Sequence, residues 1–161
     1  MRFPRALRLD HSDLNVYERA AGPDELCVSG GFAFAGRDSA SLSAKERQAL
    51  GRGWLGCESF GWTTLVAVAE IEEAEFARLV ERLARHLLAH YGAPDLASAI
   101  LAARAEADDA VALADHPVNT ILSLERRLGP EGLVESFRRV EPPRERDHAK
   151  IWEIASESDE S

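Results

Sequence analysis

The sequence predicts an α+β domain: a largely antiparallel sheet of about five strands, with two long helices packed on one face. Three observations carry that expectation. Apolar residues alternate with period two through residues 26–35 and again through 60–71. Phe76, Leu79, Val80, Leu83, Leu87 and Tyr91 then recur at helical spacing. An alanine-rich stretch over 96–114 follows, and side chains that small let a helix lie close to its partner.

Taken in order, residues 6–9 read as a short strand and 14–19 as a second, with Leu14 and Val16 giving the alternation. Ala21-Gly22-Pro23-Asp24 is a turn. In 26–35 the bulky residues Leu26, Val28, Phe32 and Phe34 share one face, and the Gly30-Gly31 pair marks a bulge or bend. Ser43 followed by Glu46 is a capping box opening a short helix that Gly51 ends. Residues 51–59 read as a loop and 60–71 as the central strand, with Phe60, Trp62, Thr64, Val66 and Val68 on one face. Glu72, Glu73 and Glu75 favour a helix N-terminus, Gly92 stops that helix, and Asp95 caps the next. A last strand over 119–128 and a short helix over 129–140 complete a single domain spanning 1–140. Residues 141–161 form a charged, serine-rich tail that cannot bury enough surface to fold alone, although it carries Ile151-Trp152-Glu153-Ile154.

Composition excludes several functions. A net charge of −9 with arginines scattered along the chain argues against a nucleic-acid surface, which needs clustered cations. No apolar run is long enough to span a bilayer, and the first residues have no apolar core of a signal peptide, so a cytoplasmic protein without membrane contact is expected. Cys27 and Cys57 have no metal or redox spacing and read as buried reduced thiols.

Gly51-x-Gly53-x-x-Gly56 matches a dinucleotide-binding pattern by letters only. That chemistry needs a strand before the glycines and a helix after them, and here the order is reversed. His86 and His90 stand four apart on one helix, a spacing that can hold a metal, but Leu-Leu-Ala lies between them and Arg82 one turn earlier. They read as structural histidines, and no cofactor is expected. Cys57 and Ser59 match no nucleophile motif. What remains is aromatic. Phe60 and Trp62, which with Phe32 and Phe34 either fill the core or form an exposed patch, and Trp152, whose tail docks either on its own domain or on another chain, are the candidate contacts for a partner protein or a second copy. The alternative is a small-molecule site or enzyme pocket at the 51–62 loop, built from Trp54, Cys57 and Trp62 with His90 nearby.

The segments Arg8-Leu9-Asp10, Gly30-Gly31-Phe32-Ala33-Phe34, Lys45-Glu46-Arg47-Gln48-Ala49, Ser59-Phe60-Gly61-Trp62-Thr63-Thr64 and Tyr91-Gly92-Ala93-Pro94-Asp95-Leu96 together resemble a family of small uncharacterised bacterial proteins, a domain of unknown function, over about residues 8–139. The resemblance brings no catalytic residue. It implies genes lying near those for molybdenum-containing formate dehydrogenases and their maturation factors, and so an accessory, non-catalytic role.

Overall fold

In a computed structural model the described residues are 1–8 and 12–141. Four antiparallel strands, β1 (Arg2–Leu7), β5 (Leu65–Glu70), β6 (Ile121–Gly129) and β7 (Gly132–Val140), form one sheet in the order β1-β5-β6-β7. Three short strands, β2 (Cys27–Val28), β3 (Trp54–Gly56) and β4 (Trp62–Thr63), form a second sheet in chain order. A single antiparallel bridge from Arg5 to Leu26 joins the two. The expected sheet of about five strands is therefore four strands plus three.

The helices follow their sequence signals closely. In α2 (Ala44–Arg52) Ser43 Oγ accepts from the Glu46 N–H at 3.1 Å and Glu46 Oε1 from the Ser43 N–H at 2.9 Å, the reciprocal box that satisfies two otherwise orphaned donors. The long α3 (Glu73–His90) buries Phe76, Leu79, Val80, Leu83 and Leu87, and Gly92 ends its run at φ 77°. Asp95 Oδ1 caps α4 (Leu96–Leu113) at 2.7 Å from the Ser98 N–H. Ala99, Ala103, Ala107 and Ala110 face inward from α4, whose neighbours are α3, β1 and β2. Phe3 of β1 meets Phe76 of α3 edge-on at 6.1 Å, which fixes the helical layer on that strand.

Five elements depart from expectation. Residues 14–19 are no strand: α1 (Asp13–Val16) is a single helical turn, with the Asp13 carboxylate buried against the Thr63 and Thr64 hydroxyls at 3.1 Å each. The strand over 26–35 stops after β2, because Gly30 adopts φ 84° and residues 31–34 turn into a 3-10 helix. A Cβ at Gly30 would stand 2.7 Å from Leu55 Cβ and 2.9 Å from the Trp62 ring, so the close packing there requires glycine. The 51–59 loop contains β3, and the 60–71 strand is two strands broken at Thr64. Finally, 129–140 is no helix. β6 and β7 are a hairpin closed at Gly129 and Gly132 around Pro130-Glu131, with φ 117° at Gly132.

Candidate functional site: an aromatic groove beside β4

The site starts from a tight loop. Gly61 lies so near the preceding chain that a Cβ would stand 2.5 Å from the Ala20 carbonyl carbon. The Trp62 N–H donates to Arg19 O and the Ala21 N–H to Trp62 O, both at 2.9 Å. The buried Glu25 carboxylate closes the loop from below, Oε1 accepting from the Glu58 and Ser59 N–H groups at 3.0 and 2.9 Å. Burial raises that carboxyl, yet the bonds from Ser59, Gly22 and Glu58 outweigh it and hold Glu25 below the usual range.

The loop presents Phe60 in the left-handed region at φ 57°, a costly conformation for a bulky side chain and one that clusters at functional positions. Its ring lies flat on His86 of α3, centroids 3.7 Å apart and planes 1° from parallel. His86 is 5.0 Å from His90 and 5.5 Å from Tyr91, and Tyr91 meets Phe32 edge-on at 5.2 Å. On the other side Trp62 packs on Phe34 at 5.4 Å. Between these rings runs a groove of about 210 Å³, with Phe60, Trp62 and Tyr91 in its wall and Arg19, Arg37, Lys45, Glu18 and Glu46 at its rim. Phe32, Phe60, Trp62 and His86 are half-buried, and Tyr91 is 44% exposed. Burial, then His90 and Arg19, lower the His86 pKa, so the imidazole on Phe60 is neutral at pH 7.

Phe60, Trp62, His86 and His90 thus gather on one face. Trp54 and Cys57 do not join them. Trp54 is 0% exposed, wedged between the sheets against Phe137 at 5.6 Å, and its indole N–H has no acceptor among the described residues. Cys57 is buried, its Sγ 3.8 Å from Leu55 O, and burial pushes the thiol far above its ordinary range, so no thiolate is available. A ligand reaching Trp54 would have to open the core, and Cys57 shows only 2% of its surface at a small cavity of about 120 Å³ beside α3. Trp152 lies outside the described residues. Among the described residues no group of three or more His, Cys, Asp or Glu side chains could hold a metal, so the two histidines gain no third ligand.

A larger cleft of about 740 Å³ lies elsewhere, between Glu106 and Asp109 of α4, residues 31–39 and the β6–β7 turn. Its wall carries Glu135, whose carboxylate meets the fully buried Arg126 at 2.9 Å. Arg126 also donates to Ser29, Ala49, Leu50 and Gly53 carbonyl oxygens at 2.6–3.2 Å. That arginine ties β6 to α2 and to the chain before the 3-10 turn. Its role is structural, and the cleft beside it carries the Glu106, Asp109 and Glu135 carboxylates together with Phe32, Leu128 and Leu133. Tyr91, which the helical spacing places in the core stripe of α3, is exposed, and Arg126 belongs to no sequence motif. The available signal for Arg126 is its place two residues beyond Leu124, and four beyond Leu122, in the inward-facing alternation of β6.

Fold and groove define a small α+β protein with a groove lined by aromatic side chains beside β4. The chain belongs to a family of unknown function, DUF6505, which matches it over residues 1–158 and so well into the tail. No curated protein and no solved structure matches the chain. No helix among the described residues is long and apolar enough to cross a membrane.

Proposed function

We propose that the protein is a non-catalytic interaction module that seats a segment of a partner protein in the Phe60–Trp62–Tyr91 groove. The observation that carries this reading is Phe60 itself: a bulky residue in a strained backbone conformation, stacked on a neutral histidine beside open aromatic surface. Aromatic anchors ringed by charges are the usual energetic centre of protein interfaces, and the rim cations Arg19, Arg37 and Lys45 favour a partner segment with an apolar anchor flanked by carboxylates. The family resemblance adds the particular expectation of an accessory role for a molybdenum-dependent dehydrogenase system, in the cytoplasm. A small-molecule site is the second reading, supported by the concave groove of about 210 Å³ between Phe60, Trp62 and Tyr91 rather than by Trp54 or Cys57.

Native mass spectrometry on protein purified gently from its own host tests this, comparing wild type with Trp62→Ala/Tyr91→Ala. Wild type is expected to carry a second polypeptide that the folded double variant has lost. A partner retained by the variant sinks the groove as its seat, and a small bound mass in place of a polypeptide supports the second reading.

A further inference from the structure

We propose that the protein forms a homodimer in which β7 pairs antiparallel with β7 of a second copy, about a two-fold axis at Phe137. β7 is the terminal strand of its sheet. Pairing with β6 uses the backbone groups of alternate residues, and the others point away from the sheet. Among the described residues, no backbone group from elsewhere pairs with that outer edge. A nine-residue open edge is a template for another strand unless something covers or deters it.

The sequence of β7 selects the occupant. Side chains alternate faces, so a continuous sheet pairs residues whose numbers sum to an even value. Centred on Phe137, Glu135 stands opposite Arg139 of the second copy, twice by symmetry, and Val134 stands opposite Val140. Centring on residue 138 instead sets Arg138 against itself and Glu135 against Glu141. Centring on residue 136 brings no opposite charges together. Glu135 uses Oε2 for Arg126, and its carboxylate retains capacity for a second donor. Arg139 is 53% exposed and its partner within the chain, Glu141, stands at 3.5 Å. Centring on residue 135 sets the Glu135 carboxylates against each other, so of these four registers the Phe137 one matches charge and apolar pairs without opposing like charges.

Sedimentation velocity on the full chain across a wide concentration range tests the proposal, with two surface variants. Wild type is expected to dimerise. Arg139→Glu, which turns two attractive pairs into two repulsive ones, should raise the dimer dissociation constant roughly tenfold or more, whereas Arg139→Lys should retain the dimer. Val134→Cys with Val140→Cys reads the register. These positions lie about 20 Å apart along one strand, beyond disulfide reach, but face each other across the proposed axis. Mild oxidation should therefore link two copies in the double variant and leave the Val134→Cys single variant unlinked. A wild type monomeric at every concentration overturns the proposal. So does a dimer that is indifferent to Arg139→Glu and unlinked in the cysteine pair, which would use another face, such as that around the 73% exposed Leu101.

Discussion

Replacing Glu106 with glutamine is expected to stabilise the protein, and only on the alkaline side. Burial on α4, beside the carboxylates of Asp109 and Glu135, raises the Glu106 carboxyl from the ordinary 4.5 to about 7, with Arg126 pulling the other way. The folded chain therefore holds this proton more tightly than the unfolded one. Stability from the group is fully present below pH 4.5 and drains away as pH rises to about 7. Each pH unit in that interval costs about 1.4 kcal/mol, or about 3 kcal/mol in total, which the water reaching the cleft screens to roughly 2 kcal/mol. Glutamine keeps the shape and never ionises. Urea titrations at pH 4.5 and pH 8 should show Glu106→Gln equal to wild type at the first and more stable by roughly 2 kcal/mol at the second. A gain of the same size at both pH values, or a loss at pH 8, would refute the account, because either outcome detaches the effect from ionisation.

Two further substitutions probe the frame of the site. Arg126→Met removes the cation that satisfies four carbonyls and Glu135, and should cost about 3–5 kcal/mol by urea denaturation; a loss under about 1 kcal/mol would show that water replaces those bonds. Gly61→Ala drives a Cβ into the Ala20 backbone and should cost more than about 2 kcal/mol, read as a fall in thermal midpoint together with loss of the Phe60–His86 stack in proton NMR spectra.

The helices were legible because their ends are local chemistry. Ser43 with Glu46, Asp95 with Ser98, and Gly92 at positive φ each state a boundary within four residues. The misread elements were decided by distant neighbours. Gly30 turns the chain because Leu55 and Trp62 occupy the space a side chain would need, and neither lies near it in sequence. Residues 129–140 offered Leu133, Val134 and Phe137 at a spacing that suits a helix face, while the Gly129–Gly132 closure around two residues was the stronger hairpin signal. In residues 14–19 two apolar residues in alternation were too few to separate a strand from one helical turn. Of the site, the aromatic residues could be named from sequence. That Phe60 and Trp62 meet His86 and Tyr91, while Trp54 turns to the opposite core, depends on how the loop at Gly61 docks on residues 19–21.

Arg126 also sets the order in which the chain can be finished. Its carbonyl partners at Ser29, Ala49, Leu50 and Gly53 lie 97 to 73 residues earlier. Those partners leave the ribosome long before the guanidinium that satisfies them. Until it arrives, the Ser29, Leu50 and Gly53 carbonyls wait on water, while Ala49 O already accepts from the Gly53 N–H at 2.9 Å. The frame behind the aromatic groove is thus completed only when β6 has been synthesised, so a chain stopped at residue 120 should be cut by protease first around α2. Long-range closure of this kind is slow, and it makes the aromatic surface a property of a chain that has reached β6 rather than of any shorter nascent chain.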